Sequence, residues 1–95
     1  MAAYWDEKKR QTNLAKHGID FSLFGLFDWD RVVFLPPDFA EGERRERAVS
    51  LIAGRLALAV FTDRDDEIRL ISLRPATKPE QRIWTHGQGK AGGNR

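Results

Sequence analysis

The sequence predicts an α+β domain in which two N-terminal helices pack on an antiparallel sheet of about four strands and a short C-terminal helix closes the chain. Three observations carry this. Asp6 and Asp20 each stand where a side-chain oxygen can cap a helix start. From residue 32 to residue 74 the pattern shifts to β-branched and alternating apolar runs divided by short polar turns. Thr77 and Glu80 then take the spacing of a capping box just beyond Pro75.

The elements follow in order. Asp6 opens a helix over residues 7–17, and Gly18 ends it as the left-handed residue. This helix is mostly polar, so Trp5, Leu14 and the stem of Lys9 or Arg10 supply its buried side. Asp20 opens a second short helix over residues 21–27, where Phe21, Phe24 and Phe27 recur every three residues as one apolar stripe. Residues 32–35 form a β-branched run that stops at Pro36-Pro37. Residues 38–45 read as a polar loop, residues 48–53 as a strand, and Gly54 as a tight connection. Residues 56–62 are apolar on both faces, with Leu56, Leu58 and Val60 on one and Ala57, Ala59 and Phe61 on the other. That predicts the central strand. A turn at residues 63–66 leads to a last strand over residues 67–74, and the short connections imply antiparallel pairing. The final helix, with Pro79 in its first turn, is expected to stop near Trp84 or Thr85. Residues 86–95 hold four glycines and are expected to form a disordered tail, leaving one domain over residues 1–85.

The 95 residues suffice for one domain and not for two. There are no cysteines, which excludes disulfides, thiolate-zinc sites and a cysteine nucleophile. His17 and His86 are the only histidines, and two so placed make no metal site, so no metal or other cofactor is expected. The first residues lack a basic stretch followed by an apolar run, and no run approaches the roughly 18 apolar residues that cross a bilayer. No signal peptide and no membrane partner are therefore expected, and a cytoplasmic protein is. Charge is uneven: residues 1–19 and 68–95 are basic, and residues 20–67 carry eleven acidic against six basic side chains. If the two ends meet, they form a positive patch suited to phosphates.

Several fragments stand in order at compatible spacing. They are Trp5-Asp6, Lys9, Asn13, Lys16-His17-Gly18 and Phe21, then Glu46-Arg47, Thr62-x-Arg64 and Ile68-Arg69-x-Ile71-Ser72-x-Arg74-x-Ala76. Together, over residues 4–82, the chain resembles the BrnT family of ribonuclease toxins. The resemblance implies a RelE-like fold and metal-independent cleavage of RNA that arrests translation and growth. It also implies neutralisation by a BrnA-type antitoxin with a ribbon-helix-helix DNA-binding part, so that operator DNA is met only through that partner. Residues 79–84 depart from the family pattern, which often has a tyrosine and more basic residues there.

Cleaving RNA without metal uses the 2′-hydroxyl as nucleophile. It needs a base for the 2′ proton, an acid for the leaving 5′ oxygen, and cations for the charged phosphorane. The candidate catalytic residues are His17, Lys16, Arg69, Arg74 and Glu46. His17 titrates near neutrality, and Glu46 is a base if its strand presents it beside the arginines. Lys16, Arg64, Arg69 and Arg74 are the candidate RNA contacts, because an arginine fork can bind two phosphate oxygens. Against this, Lys16-His17 before Gly18 also suits the helix dipole alone, and Arg69 could serve only as a salt-bridge partner of an acid such as Glu46. Arg69 and Arg74 are five residues apart, which on a straight strand puts them on opposite faces. Both reach one substrate only if Pro75 or a local bend redirects Arg74. Leu23, Leu26 and Trp29 make the second helix apolar nearly all round and are the expected antitoxin contact. The alternative function is a non-catalytic, antitoxin-binding corepressor of the same fold.

Overall fold

The computed structural model describes residues 2–93, and the side chains of residues 3–88. Its elements are β1 (Ala2–Tyr4), α1 (Glu7–His17), two short 3-10 helices (Phe21–Leu26 and Trp29–Arg31), β2 (Val33–Ala40), β3 (Glu43–Ile52), β4 (Arg55–Arg64), β5 (Glu67–Pro75) and α2 (Lys78–Gly93). The five strands form one mixed sheet in the order β1-β5-β4-β3-β2. β1 runs parallel to β5, and every other pairing is antiparallel. β4 is central, as its two apolar faces predict.

The first helix has the expected limits. Asp6 accepts from the Lys8 N–H, and Gly18 takes φ 74° to close the last turn onto the Leu14 carbonyl. The second expected helix is instead a 3-10 segment capped by Asp20. Three residues per turn is the period at which Phe21, Phe24 and Phe27 recur, so the tighter helix aligns all three rings into the core. There is thus one N-terminal α-helix, and the sheet has five strands where about four were expected.

The added strand is β1, whose three residues carry no alternation to reveal it. The other strands are longer than expected at the β2–β3 turn. Residues 38–45 are not a loop: β2 continues through Pro36-Pro37 to Ala40. The prolines are tolerated because β2 is an edge strand, and its register shifts between Leu35 and Asp38. The three hairpins turn at Glu41-Gly42, Ala53-Gly54 and Asp65-Asp66, each pair having positive φ at both residues. That is the signature of two-residue type I′ loops, whose twist matches the sheet.

The two sheet faces are covered differently. One face packs Ala48, Ala59, Phe61, Ile68, Leu70 and Leu73 under α1 and the 3-10 segments, with Trp5 edge-on to Phe21 at 6.0 Å. The other face packs Leu35, Val49, Leu58 and Ala76 under α2 through Trp84. The expected capping box is present: the Thr77 N–H donates to Glu80 and the Glu80 N–H to Thr77 Oγ1. α2 does not stop near Trp84 but continues to Gly93, so residues 86–93 are helical rather than a disordered tail. Arg31 explains this extension locally. Its carbonyl accepts from Trp84 Nε1 at 2.9 Å and from Gln88 Nε2 at 2.7 Å, tying the second half of α2 to the chain before β2. Residues 94–95 lie outside the described residues.

Candidate active site

Asn13 positions the site. It is the one buried residue of α1. Its amide donates to the Leu73 carbonyl at 2.7 Å and to the Ile19 carbonyl at 3.1 Å, and its oxygen accepts from the Leu73 N–H at 3.1 Å. β1 pairs with β5 only as far as Arg69, so Asn13 supplies hydrogen bonds to the β5 edge beyond the end of that pairing. The contact docks α1 against the second half of β5 and brings its last turn, with Lys16 and His17, near enough to Arg74 for that charge to act on His17.

His17 is half-buried, and among the described residues nothing hydrogen-bonds its ring. Burial holds its pKa below the ordinary histidine value, and the nearby charges of Lys16 and Arg74 push it the same way. The imidazole is therefore neutral near pH 7 and able to accept a proton. Lys16 and His17 share a shallow surface depression with Thr12 and Ser72. On the other side of His17 a larger cavity of about 620 Å³ runs past Gly18 and Ile19 to Gln81 and Trp84 of α2.

Arg74 reaches this corner because β5 is not straight. Phe61 pairs with Leu70 but Val60 pairs with Ser72, so Ile71 is an extra residue in β5. The bulge restores Arg74 to the face that Arg69 occupies. On that face two carboxylates each gather two arginines. Glu80 takes the Arg74 fork on both oxygens at 2.9 Å, with Arg47 at 3.9 Å. Glu43 takes Arg69 at 2.6 Å and Arg45 at 3.4 Å. The Arg74 guanidinium first, and the Thr77 N–H after it, hold the Glu80 carboxyl below the usual carboxylate range against the opposing effect of burial.

Lys16 and His17 therefore share one depression, with Arg74 close enough for its charge to act on His17, and the other expected catalytic and RNA-binding residues do not join them. Glu46 lies on the opposite face of β3 from Arg47, because neighbouring strand residues alternate, and it is bound by Arg44 at 2.7 Å. It is not beside Arg69 or Arg74, and the acid that pairs with Arg69 is Glu43. Arg69 lies five residues back along β5 from Arg74, toward the opposite end of the sheet. Arg64 ends β4, nine residues from Arg55 at the cavity, which is roughly 30 Å of extended strand. Glu80 and Asn13 were not singled out for the site from sequence. The capping box hid the first, and the second stood only among the residues that carry the family resemblance. Among the described residues no group of three or more His, Cys, Asp or Glu is placed to hold a metal ion, and no helix is long and apolar enough to cross a membrane.

Leu23, Leu26 and Trp29 are partly or largely exposed around the 3-10 segments. Trp29 stacks edge-on against Phe24, Phe27 and Phe61, with ring centroids 5.7, 4.9 and 5.7 Å away. Phe34 extends the same apolar surface.

A half-open corner with a neutral imidazole, an ammonium and a guanidinium is suited to phosphoryl chemistry on a polyanion. Residues 5–80 match the family of the ribonuclease toxin BrnT of type II toxin–antitoxin systems, and the chain belongs to that family. Among solved structures it is similar to the 1.1 Å crystal structure of the Brucella abortus ribonuclease toxin BrnT. The two share 31% identity with a TM-score of 0.65, over 82% of this chain and 100% of that one. The chain matches no curated protein sequence.

Proposed function

We propose that this chain is an endoribonuclease toxin that cleaves RNA by attack of the 2′-hydroxyl, without metal, at the corner between α1 and β5. The observation that carries the reading is the half-buried His17 ring, without a hydrogen-bond partner among the described residues, in one depression with Lys16 and within reach of the Arg74 charge. His17 takes the 2′ proton as the 2′ oxygen bonds to phosphorus. The P–O5′ bond breaks, leaving a 2′,3′-cyclic phosphate and a 5′-hydroxyl. Arg74 and Lys16 stabilise the added negative charge, and the leaving oxygen is protonated by Lys16 or by water. A type II toxin has an antitoxin. We assign that partner to the BrnA type, with a ribbon-helix-helix part, and its contact to the apolar surface of Leu23, Leu26 and Trp29. The cell compartment consistent with this work is the cytoplasm.

A second reading rests on the Arg74–Glu80 pair. Both nitrogens of the Arg74 fork are already committed to a carboxylate, as in a corepressor that binds antitoxin without cutting RNA. One experiment separates the two. Purified wild type and His17→Ala are incubated with RNA in excess EDTA, and the ends of any fragments are identified. Cleavage with cyclic phosphate ends, lost in the variant, supports the nuclease. Intact RNA with wild type, or cleavage that needs added metal, overturns it.

A further inference from the structure

We propose that the cavity beyond His17 is a nucleobase subsite, which receives one unstacked base of a single-stranded RNA next to the phosphate held at His17 and Arg74. The proposal deepens the ribonuclease reading and rests on it for the position of that phosphate.

The cavity is continuous with the proposed site, since His17 lines its mouth. Its volume of about 620 Å³ lies within the range of about 300–1,000 Å³ typical of small-ligand sites. Its walls are apolar where a base would lie flat: Ile19, Leu23, Leu56 and Trp84. Trp84 is an ordered wall, because its indole N–H is fixed on the Arg31 carbonyl. Aromatic walls favour bases of any identity, since every base has a π-face. Gln81 adds an edge for hydrogen bonding. One proton of its Nε2 goes to the Ala76 carbonyl, and among the described contacts the other proton and Oε1 are free.

Charge points to the same occupant. No Asp or Glu is among the described lining residues, while Arg55 and His17 line the cavity, and the charges of Lys16 and Arg74 act on His17 from outside it. Cations at the rim around an apolar interior match a nucleotide, which is anionic at its phosphates and apolar on its base faces. A paired base cannot enter such a cavity without leaving its stack, which selects single-stranded RNA.

The test uses the full chain and a fluorescently labelled 2′-O-methyl oligoribonucleotide, which lacks the attacking hydroxyl and cannot be cut. A series carries one abasic position each, and affinity is read by anisotropy. We expect one abasic position to weaken binding about tenfold, and Gln81→Trp, which fills the mouth from an exposed helix position, to abolish that difference. Thermal unfolding checks that the variant is folded. Equal affinity across the series in wild type overturns the proposal, as it would if a protein side chain is the natural occupant. So does full discrimination by Gln81→Trp, or no binding of any oligonucleotide. Cleavage of ordinary RNA is measured in parallel. Cleavage without base discrimination removes the subsite alone, and discrimination without cleavage removes the nuclease reading alone.

Discussion

Arg74 and Glu80 meet as a two-pronged pair, each guanidinium nitrogen 2.9 Å from one carboxylate oxygen. The same carboxylate caps α2 through Thr77, so one side chain fixes both the end of β5 and the start of the helix behind it.

Removing that carboxylate breaks both contacts. Glu80→Ala is expected to cost about 2–4 kcal/mol in urea unfolding, because the cap is lost and a partly buried Arg74 is left unpaired. Glu80→Gln keeps the shape and loses the charge. Since the folded carboxyl has its pKa lowered, the charge stabilises the fold above the unfolded value of about 4.3 and that stability is lost as pH falls through the folded value. The gap between wild type and Glu80→Gln should therefore be full above about pH 5 and shrink in more acid solution.

In the proposed reaction His17 takes the 2′ proton, which it can do only when neutral. Its lowered pKa places the acid limb of kcat/KM below the ordinary histidine value of about 6.5. Lys16→Met removes one of the charges that lower it, so the limb should move to higher pH even as the plateau falls. His17→Ala should reduce the plateau about 10²–10⁴-fold. A pH profile unchanged by Lys16→Met would separate Lys16 from the base.

The two arginines of β5 should differ. Arg74→Ala is expected to lower kcat/KM about 10²-fold, and Arg74→Lys to recover part of this, since an ammonium keeps the charge without the fork. Arg69→Ala, at the Glu43 end of the face, should have a small fraction of that effect. Equal losses in both would mean that the substrate spans the whole face.

The β4–β5 turn is open to improvement. Asp65 and Asp66 both hold positive φ, at 54° and 66°. Asp66→Gly gives the favoured Asp-Gly pair of a type I′ loop and removes a like charge. A gain of about 0.5–1 kcal/mol is expected, seen as a rise of several degrees in Tm.

Much of this architecture is legible in residue pattern. Asp6, Gly18 and the Thr77–Glu80 box act locally, and local rules read them correctly. The two apolar faces of β4 reveal its central place for the same reason. What pattern could not supply depends on partners distant in sequence. Glu46 is drawn from the arginines by strand alternation, and Glu43 takes the place offered to it. Arg69 and Arg74 share a face only through the Ile71 bulge, which depends on β4 pairing. The stripe of Phe21, Phe24 and Phe27 reads as an α-helix face or as a 3-10 face. Core packing selects the second.

The Asn13–Leu73 contact spans 60 positions, and its consequence is one of timing. During synthesis the chain emerges N-terminus first, at about 5–20 residues per second. The helix that bears His17 is made early, but the strand edge it docks on and the helix bearing Glu80 come last. The hairpins of the meander can close on short loops as they appear, while α1 and β1 must wait for β5. A nascent or truncated chain thus carries His17 without Arg74. The proposed corner therefore assembles only after β5 and the start of α2 have been made, and no shorter N-terminal fragment holds all of its groups.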